Sequence, residues 1–323
     1  MRSHSLLKVA LLAMLGLMML APIGCTTNPA TGKKSFTLYS WEQEKKMGAQ
    51  AAAGLAEQFG GEVDEVIPSQ YVREVGMKLV AGVEDAVPDL DWEFTLLNTE
   101  VINAFALPGG KVFFTRGLAE KLDSEAEMAG VLGHEIGHVT ARHGNQRISK
   151  QIGFTAVMSG VAVVVGASDS DSKTRKYGQV AVPAMAIGGN VVLLKYGRSD
   201  ESESDMLGMR YMVRAGYDPI GQLHVMEVLE AESKGGRKPE WLSTHPYPES
   251  RIKAIKGYLA GKYADTQGNP AFVTNKAAYE QRMLLPLRNL ARPVKDGEPV
   301  SFLDVPALWC GECALGALLH PEG

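Results

Sequence analysis

Residues 124–143 read SEAEMAGVLGHEIGHVTARH, and they set what the rest of the chain must supply. Ser124 is followed three residues later by Glu127, the pattern of a capping box. Apolar residues then recur at Met128, Val131, Leu132, Ile136 and Val139, a spacing that predicts one helix from Ser124 to about Gln146. Inside it, His134-Glu135-Ile136-Gly137-His138 is an H-E-x-x-H motif. Four residues advance a helix by about 6 Å, a little over one turn, so both imidazoles leave one face and can hold one metal ion. Glu135 follows the first imidazole and can take a proton from a water molecule beside that ion. Gly133 and Gly137 leave room for close approach. His143 would lie roughly 140° round a continuous helix from His138, so it is not expected to bind the same ion.

Zinc suits imidazole and carboxylate ligands in tetrahedral geometry and brings the pKa of water near neutrality. A third protein ligand is therefore needed from another element. The candidate stretch is RSDESESD, residues 198–205. Glu201 and Asp205 are one helical turn apart, so one can bind zinc while the other supports a zinc-bound imidazole through its second nitrogen. Spacing alone does not say which does which. Glu203 points elsewhere on that helix and reads as solvated.

Working outward, Trp92–Leu97, Val101–Leu107 and Lys111–Thr115 read as short strands, with Pro108-Gly109-Gly110 as a turn. Helices are expected at Trp41–Phe59, Ser69–Val83, Ser199–Ala215, Pro219–Glu232 and Arg251–Tyr258. The apolar runs 152–167 and 180–194 are too short or too broken by Pro183, Gly188 and Gly189 for a span of about 20 apolar residues. They read as buried or groove-lining helices, with shallow membrane contact as the alternative. No repeat array fits residues 263–323, an extension whose structure the sequence does not specify.

The two ends carry separate signals. Arg2 and Lys8 precede an uncharged apolar run, Val9–Leu20, and Gly24-Cys25 follows. Residues 1–24 read as a signal peptide of the lipoprotein type with acylation at Cys25, although Pro22 stands where Leu is usual. The alternative is ordinary cleavage with Cys25 as a plain thiol. Polar residues 25–40 read as a tether. Near the other end, Cys310 and Cys313 form a C-x-x-C without the β/α surroundings of a redox domain or the second pair of a zinc ribbon. A local disulfide is the favoured reading, ahead of a redox-sensitive clasp or free thiols. The net charge of −4 argues against a nucleic-acid binder. Nothing in the sequence bears on oligomeric state.

Several motifs in order resemble one known family: residues 103–110 (NAFALPGG), Gly117-Leu118, residues 125–129 (EAEMA), residues 134–139 (HEIGHV), residues 141–143 (ARH), the acidic helix to Asp205, residues 215–219 (AGYDP), Thr244-His245-Pro246 and Arg251. From about Asn28 to Tyr258 the chain resembles the HtpX and CAAX prenyl endopeptidase-like zinc metallopeptidases, nearest in type to the periplasmic BepA/LoiP-like lipoprotein proteases. The resemblance implies an α+β, mainly helical gluzincin fold with a small antiparallel sheet and one zinc ion between two helices, within residues 41–262. It implies Glu201 as third zinc ligand and Asp205 as the supporting carboxylate, with Ser204 where Ala is usual and Gly197 where Ser is usual. It further implies that Asn103 and Ala104 lie on a sheet edge where extended substrate can pair. His245 is expected either to donate to the oxyanion or to close on the metal as a fourth ligand, with Tyr247 as a second candidate donor. The implied function is zinc-dependent cleavage of unfolded or misassembled envelope proteins on the periplasmic side, anchored to the outer membrane by lipid. The alternative is a zinc-containing assembly or chaperone factor without proteolysis.

Overall fold

A computed structural model describes residues 25–154, 196–236, 239–246 and 248–291. The signal segment, most of both apolar runs, Tyr247, Cys310 and Cys313 lie outside the described residues. The elements are β1 (Cys25–Thr27), β2 (Lys34–Phe36), α1 (Trp41–Gln58), α2 (Val66–Val80), β3 (Glu93–Leu97), β4 (Ala104–Leu107), β5 (Lys111–Thr115), α3 (Arg116–Ala119) and α4 (Glu125–Thr140). A helix α5 then begins at residue 143 and is described to residue 154. After it come α6 (Arg198–Arg214), α7 (Ile220–Lys234), α8 (Trp241–Thr244), α9 (Pro248–Ala260), α10 (Lys276–Tyr279), a π-helical turn (Glu280–Leu284) and α11 (Leu285–Asn289). The described chain is mainly helical with small sheets, as the sequence leads one to expect.

The strands β3, β5 and β4 lie in that order, so β4 is an edge. β4 and β5 form the expected antiparallel hairpin, but β3 runs parallel to β5, making the sheet mixed rather than antiparallel throughout. Residues 98–103 carry the chain past β5 before it turns back, and alternation along a strand does not encode neighbour order. Side chains alternate between two covered faces. Phe94, Leu96, Ala104, Val112 and Phe114 join the main core. Leu97, Phe105, Leu107 and Phe113 pack with Ala51 and Leu55 of α1 and with Phe59, which caps its C-terminus.

α4 is the centre of the molecule, with all 16 of its residues buried. Ser124 caps it by accepting from Glu127 N at 3.2 Å, while Glu127 reaches back to Asp123 N at 2.7 Å. α6 lies directly against it because the facing residues are small. A Cβ on Gly208 would sit 2.9 Å from Gly133 C and His134 N, and one on Gly137 would sit 2.7 Å from Ser204 Oγ.

Apart from shifts of a few residues at element ends, three features differ from the sequence reading. The helix expected to run through to Gln146 stops at Thr140, and Arg142 adopts a positive φ of 60° before α5 begins. Residues 25–40 are a packed hairpin rather than a tether. Asn28 donates to Thr140 O at 2.9 Å and accepts from Ala30 N and Thr31 N, Leu38 N donates to Ser149 Oγ, and Asn145 donates to Tyr39 O. The polarity of this segment serves to satisfy the broken end of α4. Finally, the domain does not end at 262. Tyr279, Met283 and Leu287, spaced four apart, are fully buried in the main core, and Arg116 donates to Leu287 O at 2.9 Å. Among the described residues no helix is long and apolar enough to cross a membrane.

Candidate metal centre and active site

Two helices and one short loop bring the predicted donors together. α4 carries His134 and His138 on the face toward α6, and α6 carries Glu201 in its first turn. His245 follows α8 directly and is held there by its N–H donating to Trp241 O at 2.8 Å. One donor atom from each of His134, His138, Glu201 and His245 lies within 4.8 Å of the others, and all four residues are buried.

The distances test whether a metal fits. Tetrahedral ligands at about 2.0–2.1 Å from zinc stand about 3.3–3.4 Å from one another. His134 Nε2 is 3.1 Å from His138 Nε2 and 3.5 Å from Glu201 Oε2. His138 Nε2 is 3.4 Å from Glu201 Oε1. His245 Nδ1 is 3.2 Å from His134 Nε2 and 3.1 Å from Glu201 Oε1. These pairs stand at 3.1–3.5 Å, close to the spacing of zinc ligands, with Glu201 turning Oε2 toward His134 and Oε1 toward His138 and His245, so the residues present fit a zinc ion.

The electrostatics point the same way. Burial and Arg251 lower the basicity of His134, but Asp205 and Glu201 outweigh both and push its pKa up to about 9. Burial holds His138 well below the ordinary imidazole range, against the pull of Glu201. Burial opposes ionisation of Glu201, yet Arg251 and the neighbouring imidazoles hold it well below the usual carboxylate range. Asp205 is likewise buried and likewise kept ionised, chiefly by Arg251. The set as a whole calls for positive charge at its centre.

Around these donors lies a supporting ring. His134 donates from Nδ1 to Asp205 Oδ1 at 2.9 Å. Asp205 also accepts from Gln222 Nε2 at 2.9 Å and from Arg251 at 2.6 Å, and Arg251 pairs with Glu201 at 2.6 Å. Glu135 accepts from Trp241 Nε1 at 3.1 Å and lies 3.6 Å from His245 Nε2. Tyr196 stacks on the His138 ring at a 3.8 Å centroid distance. His134, Glu135, His138, Glu201 and His245 are at most 2% exposed, so this is a closed arrangement.

Asn103 and Ala104 sit at the start of the edge strand β4. Asn103 is fully buried, yet neither its Oδ1 nor its Nδ2 has a hydrogen-bond partner among the described residues. A small pocket of about 20 Å³ beside the site is lined by Ala106, Leu107, Pro108, His138, Val139 and Tyr196 among others.

Sequence reasoning assigned no role to Trp241, Gln222 or Tyr196, which lack any spacing signal and reach the site only through the fold. Arg251 was visible only as part of a motif. Glu203, read as solvated, is largely covered and contacts His143 at 3.2 Å and Lys33 at 2.7 Å. His143 itself lies 2.9 Å from His138, because the break at Arg142 swings it back.

Comparison with known proteins agrees with this geometry. Residues 67–259 match the family described as Peptidase family M48. The chain is 31% identical over 237 residues to the mitochondrial metalloendopeptidase OMA1 of Schizosaccharomyces pombe, covering 72% of this chain and 65% of that protein. It is 28% identical over 235 residues to the beta-barrel assembly-enhancing protease of Escherichia coli, covering 70% and 46%. A putative beta-barrel assembly-enhancing protease of Vibrio cholerae is 31% identical over 191 residues, covering 59% and 39%. The chain spans less than two thirds of the length of each of these relatives.

Proposed function

Because the chain belongs to peptidase family M48, we propose that it is a zinc metalloendopeptidase in which His134, His138 and Glu201 hold the ion and Glu135 is the general base. The observation that carries this reading is the buried cluster of those donors, whose nearest pairs stand 3.1–3.5 Å apart, close to the spacing of zinc ligands. Zinc there supplies Lewis acidity toward a water molecule and the scissile carbonyl. Glu135 takes the proton from the attacking water and delivers it to the leaving amine nitrogen, so that the C–N bond breaks to give a carboxylate and an amine. Arg251 and Asp205 orient His134 and neutralise the buried charge. The edge strand β4 offers main-chain groups to an extended peptide. The unpartnered Asn103 amide supports a role in holding that peptide, since a buried amide without partners costs about 1–3 kcal/mol until something pairs with it.

His245 fits a closing ligand better than a resting oxyanion donor. Its Nδ1 is already a corner of the donor set. Substrate can enter only once it withdraws, so the enzyme is latent in this form.

Envelope proteins, unfolded or misassembled, are the proposed substrates. This rests on the signal-like residues 1–24, on Cys25, and on similarity to a protein named for β-barrel assembly. A lipid on Cys25 would anchor the domain through the β1–β2 hairpin, on the periplasmic side of the outer membrane. The mitochondrial relatives share the domain and leave the compartment to be tested.

The deciding experiment compares casein cleavage and zinc content in wild type and Glu135→Gln. The variant is expected to keep its zinc and to lose at least about 100-fold in rate, the usual scale for removing a general base. Equal residual cleavage sinks the role of Glu135. A folded, zinc-loaded wild type that cleaves no denatured protein, even as the His245→Ala variant, favours the assembly-factor reading.

A further inference from the structure

We propose that His143 is a positioning residue for the zinc ligand His138, held in its working tautomer by Glu203. The proposal deepens the reading above and rests on His138 being a ligand through Nε2. That role requires a neutral ring with its remaining proton on Nδ1. The nearest acceptor is His143 Nδ1, at 2.9 Å. If His143 accepts there, its own proton must sit on Nε2. That atom lies 3.2 Å from Glu203 Oε2, which accepts it. Glu203 Oε1 in turn forms an ion pair with Lys33 Nζ at 2.7 Å. Each group has one consistent role, and no proton is placed twice.

The two zinc-binding imidazoles are therefore anchored differently. His134 rests directly on a carboxylate, Asp205, whereas His138 reaches its carboxylate through a second imidazole. His143 is 2% exposed and turned edge-on to His138 at a 5.0 Å centroid distance, so water does not compete for the contact. The geometry exists only because α4 stops at Thr140 and Arg142 takes a positive φ. A continuous helix would carry His143 away from His138, and the strained Arg142 is the local cost of bringing it back.

The test is zinc affinity of the full chain, measured by competition with a chromophoric chelator. Loss of a group that orients a metal-binding imidazole typically weakens affinity by about 10–100-fold, and His143→Ala is expected to fall in that range. His143→Gln should recover most of the loss, because its amide oxygen accepts from His138 Nδ1–H and its NH2 donates to Glu203. Cobalt(II) bound in place of zinc should show shifted visible bands in His143→Ala and near wild-type bands in His143→Gln. A purely structural role would not produce that rescue. Should His143→Ala fail to fold, Glu203→Ala reads the same chain from its far end, with a loss of about tenfold expected. Wild-type affinity in His143→Ala, or in Glu203→Ala where that variant replaces it, overturns the proposal, as does a Gln variant as weak as the Ala one. Glu201→Ala and His134→Ala separate the two levels. If they too keep their zinc, the ligand assignment fails and the positioning role falls with it. If they lose it while His143→Ala does not, only the positioning role is lost.

Discussion

Trp241 donates its indole N–H to Glu135, the carboxylate proposed as the general base. Its ring also stacks on His245 at 4.8 Å, so one side chain covers the base and backs the fourth corner of the metal site. The closed form is thus a set of specific contacts, each of which opening must break. From this follows an outcome for His245→Ala. The variant should keep its zinc on three remaining donors and cleave casein several-fold faster than wild type. An oxyanion donor, by contrast, would cost about 100–1,000-fold in rate when removed, and a loss on that scale would contradict the closing role. At this scale much was legible in the sequence. Helical spacing places the two imidazoles on one face and Glu201 and Asp205 one turn apart, whereas the separate roles of Glu201 and Asp205 come from the family resemblance. Glu203 was misread because a charge run on a helix usually faces solvent, and nothing local reveals that a hairpin folds over it with Lys33.

The contact between α4 and α6 sets the distance between the imidazoles and Glu201. It depends on Gly133, Gly137, Ser204 and Gly208, where the two helices approach nearly backbone to backbone. Gly208→Ala would place a methyl 2.9 Å from Gly133 C and His134 N. Overpacking of this kind costs about 1–3 kcal/mol, and here it also pushes His134 away from Glu201. Thermal unfolding should show the lower stability, and chelator competition should show weakened zinc binding. Unchanged zinc affinity would mean that the helix spacing does not set the site. The elements themselves were readable where apolar residues recur at helical spacing, as in α2 and most of α4, and in the three strands of the mixed sheet. The break after Thr140 was not, since residues 141–146 carry no Gly or Pro before Gly144 to mark it. The strand order was equally hidden, because β3 and β5 are each buried on both faces and either neighbour would satisfy their pattern.

Across the whole molecule, segments distant in sequence are tied to the same helix. The β1–β2 hairpin satisfies the end of α4 through Asn28, and Tyr279, Met283 and Leu287 close the core from the other end of the described chain. The hairpin begins at Cys25, so a lipid there would hold the domain at a membrane through a packed element. Labelled palmitate should be incorporated by the full chain in a bacterial host and lost in Cys25→Ser, with that variant recovered in the soluble fraction. Equal labelling of both would remove the anchor. Everything else rests on α4, α6 and the loop after α8 meeting at one ion. Zinc content of the purified chain measures that meeting directly. About one zinc per chain is predicted for wild type from a site of this kind, with loss of tight binding in Glu201→Ala. A folded Glu201→Ala protein that binds zinc as tightly as wild type would contradict the account.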